Sequence, residues 1–293
     1  GGNVSVRTLR LDRVHVRDCG TMGARKFATV DDCFFEANQG LLTLEGGGSV
    51  RRSRFVSNTG TVKLQDGYFE VSDSLFLDGG GVELAWAAAT VDRCQFIGSS
   101  VGASVYGLIS SAVLRDNLFA WNRSSVGPVY FFSDSQLRVE NCTFYGNGSS
   151  EDSVGYALTL YSEGSHADVD NCIFLDGPSD IYDPEDHMLR IDSGATMEIN
   201  HSIVESWSGR WGGVGNSGVD PLFVDTDGAD DIPGTEDDNL RLLPDSPAIN
   251  AGDPDFVPSG GETDLDDHAR VLCGRVDIGA YEFGIGDYDC NRT

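Results

Sequence analysis

A short phrase of alternating apolar and polar residues recurs along the first two thirds of the chain. Its clearest copies read VENCTFYGN at residues 139–147 and VDNCIFLDG at residues 169–177. Each copy begins with an apolar anchor, carries a small residue three positions later and an apolar residue five positions later. The period of two within the phrase predicts a β-strand rather than a helix.

Nine copies of the phrase align on their anchors, at spacings of 19 to 30 residues. The anchors are Leu11, Val30, Val50, Val71, Val91, Leu114, Val139, Val169 and Ile199. Five positions later, seven consecutive copies carry Phe35, Phe55, Phe76, Phe96, Phe119, Phe144 and Phe174. A period near 20 that accepts insertions predicts a solenoid whose coils stack at about 4.8 Å. We therefore expect a ladder of stacked phenyl rings along its length.

The residues three positions after the anchors are mostly small, which predicts the inside of a tight bend. They are Val14, Cys33, Ser53, Ser74, Cys94, Asn117, Cys142, Cys172 and Ser202. Because four cysteines share this one register, we expect buried thiols there rather than disulfides. Cys273 and Cys290 lie outside the repeat, and the sequence leaves open whether they pair.

A second strand follows the phrase after a polar turn, in segments such as LLTLE, TVKLQ, GVELA and ALTLY. Alternate residues of these strands, such as Leu42 and Leu44 or Leu158 and Leu160, are predicted to point inward. Their neighbours predict two outward rows. One row is Thr43, Lys63, Glu83, Ser104, Tyr130, Thr159 and Arg190, and the other is Glu45, Gln65, Ala85, Tyr106, Phe132, Tyr161 and Asp192.

The phrase V-x-x-[CSN]-x-F-x-x-[NG] with its following strand resembles the right-handed parallel β-helix of pectate-lyase type, over roughly residues 4–206. The resemblance implies an all-β fold, a single-stranded right-handed parallel β-helix of about nine coils. In that family the small position is often Asn, which only Asn117 retains here. The scaffold carries lyases, hydrolases, adhesins and tailspikes, so the resemblance implies the fold and leaves the reaction open.

The rhythm changes near residue 219, where we expect a β-helix over residues 1–218 to give way to an irregular acidic module over 219–293. Its motifs DPLFVD, SPAIN, GDP and GAYEF resemble a tail that follows β-helix repeats in secreted bacterial surface proteins. The resemblance implies an extracellular or cell-surface location. We expect the module to cap the open end of the solenoid, which otherwise exposes a sheet edge.

The formal charge of −27 excludes nucleic acid as a default partner, and the lack of a long apolar run predicts no membrane span. Acidic residues crowd around two glycines in the module: Asp225, Asp227, Asp230, Asp231, Glu236, Asp237 and Asp238. Loops rich in carboxylates suit Ca²⁺. The spacing departs from an EF-hand at Ala229 and Asp230, so a calcium loop of another kind and a solvated acidic loop both stay open.

A polysaccharide lyase would need a cation to neutralise the substrate carboxylate and a base to remove a proton. Lys63, Arg190 and His187 are the candidates, although the rows separate Lys63 from Arg190 by five coils, about 24 Å. The chain lacks the Gly-His-Gly motif of hydrolases on this scaffold. Whether the protein is an enzyme is open, and a lyase is favoured over a hydrolase if it is one.

Four aromatic residues, Tyr106, Tyr130, Phe132 and Tyr161, are predicted on the outward face of neighbouring coils, with Glu83 and Asp192 beside them. A flat aromatic surface suits the apolar faces of sugar rings, and the alternative is that the rings only stabilise the sheet. We expect an extracellular protein that binds a polysaccharide or cell-surface glycan, with lyase activity undecided. The alternative is a non-catalytic surface, adhesive or structural module of a larger secreted protein.

Overall fold

The computed structural model describes residues 4–40, 42–124, 126–148, 156–176, 188–272 and 274–284. The strands in chain order are β1 (Val4–Asp12), β2 (His15–Arg17), β3 (Met22–Asp31), β4 (Phe34–Glu36), β5 (Leu42–Glu45), β6 (Gly48–Arg51), β7 (Arg54–Val56), β8 (Val62–Gln65), β9 (Tyr68–Ser72), β10 (Leu75–Leu77), β11 (Val82–Ala85), β12 (Ala88–Asp92), β13 (Gln95–Ile97), β14 (Val105–Leu108), β15 (Ser111–Arg115), β16 (Leu118–Ala120), β17 (Val129–Phe132), β18 (Gln136–Glu140), β19 (Thr143–Tyr145), β20 (Leu158–Tyr161), β21 (His166–Asp170), β22 (Ile173–Leu175), β23 (Leu189–Asp192), β24 (Thr196–Asn200), β25 (Ile203–Val204), β26 (Phe223–Asp225) and β27 (Asn239–Leu242). Within the described residues, no helical segment has the length and apolarity of a membrane span.

Parallel strands from successive coils build three faces of a β-solenoid. The first face is β5-β8-β11-β14-β17-β20-β23, and the second is β6-β9-β12-β15-β18-β21-β24. The long strand β3 belongs to both and also pairs with β1, so the two faces and β1 form one 16-stranded sheet. The third face is the nine-stranded sheet β2-β4-β7-β10-β13-β16-β19-β22-β25, with one strand for each copy of the phrase. The predicted all-β, right-handed parallel β-helix is confirmed.

The interior is a stack of like residues. The seven phenylalanines of the third face lie in one column, with neighbouring ring centroids 4.6 to 5.0 Å apart and ring planes within 10° of parallel. The inward leucines and valines of the first face are almost fully buried beside them. A coil cannot bury its own apolar side, so each coil depends on its neighbours for this core.

The bend between the second and third faces explains the small residues of the phrase. Two positions after the anchor the backbone has positive φ in all nine coils, at Arg13, Asp32, Arg52, Asp73, Arg93, Asp116, Asn141, Asn171 and His201. The following residue then turns inward, where the side chain one coil further on accepts a hydrogen bond from its backbone N–H. Ser53 Oγ accepts from Cys33 N at 3.1 Å, and Asn117 Oδ1 accepts from Cys94 N at 2.8 Å.

The four cysteines at this position are buried free thiols, as predicted. Burial raises the pKa of Cys94 and Cys172. Because all four sulfurs are buried, these cysteines are not accessible as nucleophiles. Cys273 and Cys290 lie outside the described residues.

The predicted outward rows of the first face are wrong in one coil. Val105 pairs with Val82 and Val129, so Tyr106 stands in the same row as Glu83 and Tyr130. Ser104, predicted to face solvent, is buried just before β14. The inward position that holds a large apolar residue in the neighbouring coils, Leu84 and Phe131, is Gly107 here. The ring of Phe131 occupies the space that a side chain at Gly107 would need. A glycine carries no apolar signal, so the alternation could be read two residues out of step.

The segment 207–217 closes the last coil. Asn216 Oδ1 accepts from Ser202 N at 3.0 Å, and Asn216 Nδ2 donates to Ile199 O at 2.8 Å. Asn117 makes the same pair of hydrogen bonds inside the solenoid. The side chains of Trp207 and Trp211 pack against the core here. This segment therefore supplies the backbone groups of the final coil with partners.

The acidic module packs along the side of the solenoid, on the outer surface of the third face. Leu240, Ala280 and Tyr281 share one apolar cluster with Leu118 and Tyr145 of the solenoid. A second cluster joins Leu242, Ala248 and Ile278 of the module to Ile173 and Ile203. These contacts are lateral. The boundary at residues 218/219 and a capping role at the open end stay predictions.

Candidate functional site

The predicted aromatic residues lie together on the first face. We call Tyr106, Tyr130, Phe132 and Tyr161 the aromatic face. The rings of Tyr106 and Tyr130 stack with centroids 5.8 Å apart, and Phe132 packs edge-on to Tyr106 at 5.5 Å. Tyr161 pairs in register with Phe132 on the next strand and is 39% exposed. Because the face is parallel sheet, these rings project from a rigid, nearly flat support.

An ion pair borders the aromatic face toward the N-terminal coils. Lys63 Nζ lies 2.7 Å from Glu83 Oε1, and Glu83 is the register neighbour of Tyr106. Burial and then the negative charge of Glu83 raise the pKa of Tyr106, so its hydroxyl stays protonated. Lys63 is thus held in an ion pair with the carboxylate that stands beside Tyr106.

A second ion pair borders the aromatic face toward the C-terminal coils. Arg190 Nη2 lies 3.0 Å from Asp192 Oδ2, and its guanidinium lies 5.0 Å from the ring centroid of Tyr156. The hydrogen bond between Arg190 and Asp192 raises the pKa of Arg190 and lowers the pKa of Asp192. Tyr156 was missed by sequence reasoning, because it precedes β20 and stands outside the repeated phrase.

Of the candidate catalytic residues, Lys63 and Arg190 do not come together. The register runs from Lys63 through Glu83, Tyr106, Tyr130 and Thr159 to Arg190. Five strand steps correspond to about 24 Å, as the sequence predicts. His187 and most of its loop lie outside the described residues. The arrangement is an aromatic surface with one charged pair at each end.

The seven acidic residues of the predicted calcium loop are not gathered around one point. Asp237 accepts from Thr235 Oγ1 at 2.5 Å and from Asp230 N at 3.2 Å, and Asp238 accepts from Gly234 N at 2.8 Å. Glu236 turns away to pair with Arg54. Several of these carboxylates thus bond their own loop or a nearby arginine. Calcium binding by Asp225, Asp227, Asp230, Asp231, Glu236, Asp237 and Asp238 stays a prediction.

Another acidic group has potential ligand atoms of Asp264, Asp266 and His268 within 4.8 Å of one another. Asp264 Oδ1 accepts from the backbone N–H groups of Asp266 and His268, and its other oxygen accepts from Glu282 N. Asp266 pairs with Arg241. These bonds assign the group a structural role, because they hold the GAYEF segment against the loop before it.

A cleft of about 590 Å³ lies where the module meets the last coils. Tyr145 and Glu205 line it from the solenoid side, and Asp220 and Phe223 from the module. Burial and then the charges of Asp176 and Asp220 raise the pKa of Glu205. Sequence reasoning missed this cleft because its walls come from segments that share no periodicity.

The family comparison agrees with this architecture. The sequence matches the family described as "Right handed beta helix region" over residues 62–220, which is more than half of its 293 residues. Among solved structures, the crystal structure of pectate lyase Pel9A is similar at 14% identity and a TM-score of 0.39, over 92% of this chain and 70% of that one. No curated protein is significantly similar in sequence. The chain belongs to the right-handed β-helix family.

Proposed function

We propose that the protein binds a polysaccharide or cell-surface glycan along its first face, outside the cell. The observation that carries the proposal is the aromatic face, whose rings stand in register on three adjacent strands. Sugar rings present apolar C–H surfaces that pack on aromatic side chains, while their hydroxyls bond polar groups at the edge. The Lys63–Glu83 and Arg190–Asp192 pairs supply such groups at both ends.

The proposal concerns binding, because the charged groups of the face are engaged with one another. Lys63 and Arg190 each hold a carboxylate, and they lie five strand steps apart. A neutral glycan also suits a chain of charge −27, which repels polyuronates unless a cation bridges the two. Lyase activity involving Lys63, Arg190 or His187 and a calcium-stabilised module are further proposals that the geometry described here does not support as directly.

The test is affinity electrophoresis of the full chain in gels that contain neutral or acidic polysaccharides. We expect retardation by at least one neutral glycan, and about fivefold weaker binding for Tyr130→Ala, since stacking on an aromatic ring contributes about 1 kcal/mol. Tyr68→Ala is the matched control, because Tyr68 is 63% exposed on the second face. Equal weakening by both substitutions, or none by Tyr130→Ala, would overturn the assignment. Ultraviolet absorbance of the same mixtures reports unsaturated lyase products.

A further inference from the structure

A separate cleft of about 410 Å³ lies on the opposite side of the solenoid from the aromatic face. The bends of the third to fifth coils form one wall, with Arg52, Arg54 and Arg93, and the module forms the other, with Glu236 and Leu265. Its volume falls within the range of small-molecule sites. Three arginines in one cleft are notable in a chain with only 20 basic residues and a charge of −27.

Each of these arginines holds at least one carboxylate, Arg93 also pairing with its neighbour Asp92, and the carboxylates differ in origin. Arg52 pairs with Asp31 at 2.5 Å and Arg93 with Asp73 at 2.6 Å, both from the preceding coil. Arg54 pairs at 2.5 Å with Glu236, which is 182 residues away in the sequence. Among these paired carboxylates, only that of Glu236 comes from the opposite wall of the cleft. Its position shows where the carboxylate of a ligand could contact Arg54.

The loop that carries Glu236 is docked by other contacts. Trp121 Nε1 donates to Thr226 O at 3.3 Å, and the backbone of Gly234 packs close to the Trp121 side chain. The ion pair itself is about half exposed on both sides, and exposed pairs contribute only about 0–1 kcal/mol. The Glu236 side chain can therefore leave Arg54 without undocking its loop.

The remaining lining suits a ligand that joins a carboxylate to a partly apolar body. Leu75 and Gln95 follow Arg54 in register on the next two strands of the third face, and Leu265 faces them from the module. A carboxylate on Arg54 would place the rest of a small molecule over Leu75, within reach of the Gln95 amide.

We infer that this cleft binds the carboxylate of a small ligand at Arg54, and that Glu236 occupies the same position when the ligand is absent. Glu236 thus acts as an internal competitor. A uronic acid and a free acidic amino acid share the required chemistry. The cleft is distinct from the aromatic face, and neither proposal depends on the other.

Titration calorimetry of the full chain with galacturonate, galactose and N-acetylglutamate tests the inference. We expect Glu236→Gln to bind galacturonate, N-acetylglutamate or both about fivefold more tightly than the parent chain, the fold-change that corresponds to one exposed ion pair. Neutral galactose should not bind at the cleft. Asp267→Asn is the matched control, because Asp267 lines the same cleft and its substitution changes the charge equally.

Adding Arg54→Gln to Glu236→Gln should remove the gain. A preference for galacturonate would identify a sugar acid as the ligand class. A preference for N-acetylglutamate would identify an acidic amino acid as the ligand class. An equal gain in Asp267→Asn would overturn the inference, because the effect would then be one of net charge. The inference would also be overturned if a folded Glu236→Gln chain bound neither acid more tightly. It would be overturned as well if the double variant kept the gain in affinity.

Discussion

A buried side chain inside the solenoid stabilises the fold through its packing against the side chains of the coils before and after it. Phe119 is completely buried, with ring centroids 5.0 Å from Phe96 and 4.7 Å from Phe144. Truncating the Phe119 side chain would leave a cavity between the rings of Phe96 and Phe144. The backbones of these two residues are fixed by sheet hydrogen bonds. The neighbouring coils cannot collapse into that space without breaking their register.

We therefore expect Phe119→Ala to lower the free energy of unfolding by about 3–5 kcal/mol. Phe27→Ala is the control, because Phe27 is 52% exposed on the same solenoid, and its truncation should cost within about 0.5 kcal/mol. Urea unfolding followed by circular dichroism measures both. Comparable losses in the two variants would mean that the phenylalanine column does not carry the core.

At the scale of the repeated element, the bend is held by side chains that take over backbone hydrogen bonds. Asn117 Oδ1 accepts from Cys94 N, and Asn117 Nδ2 donates to Val91 O, both at 2.8 Å and both buried. Serine at the same position of other coils, as in Ser53 and Ser74, keeps the acceptor role with one hydroxyl. The element therefore tolerates Cys, Ser or Asn, provided that the side chain is small and can accept a hydrogen bond.

We expect Asn117→Ala to destabilise the protein by about 2–4 kcal/mol, because it leaves a buried N–H and a buried carbonyl without partners. Asn117→Ser should cost less, since its hydroxyl can still accept from Cys94 N. Hydrogen exchange at the Cys94 amide, measured by NMR, should accelerate in the alanine variant and less in the serine variant. Equal exchange in both variants would contradict this role for the ladder.

The strands were predictable from the sequence where each coil buries the same type of side chain against the next coil. The phenylalanines and the small residues recur because each coil must present the same side chain to the next. The register of Tyr106 was not predictable, because Gly107 fills an inward position without an apolar signal. The pairing of Tyr156 with Arg190 was missed for a related reason, since Tyr156 is set by a loop that obeys no period.

At the scale of the whole molecule, the module is attached by contacts between distant segments. Arg270 is fully buried, 3.4 Å from Asp116 of the solenoid and 3.5 Å from Glu282 of the module. One guanidinium neutralises only one of the two carboxylates. Such a trio cannot be read from the sequence, because the acid and the base come from parts of the chain with no common pattern.

The buried trio makes stability depend on pH. Burial, opposed by Arg270, raises the pKa of Asp116 and of Glu282 to about 8 in each case. Between the ordinary carboxyl pKa values of 3.8 and 4.5 and a pH of about 8, the folded chain therefore binds more protons than the unfolded chain. The contribution of the trio is complete below those values and is lost as pH rises through about 8.

We expect Glu282→Gln to flatten this fall, because glutamine mimics the protonated carboxyl and does not titrate. The slope of unfolding free energy against pH between about 5 and 8 should become shallower by up to about 1.4 kcal/mol per pH unit, the effect of one proton. Glu198→Gln, which removes one exposed negative charge, controls for the general repulsion in a chain of charge −27. If both variants changed the slope equally, net charge and not the buried trio would govern how the protein responds to pH.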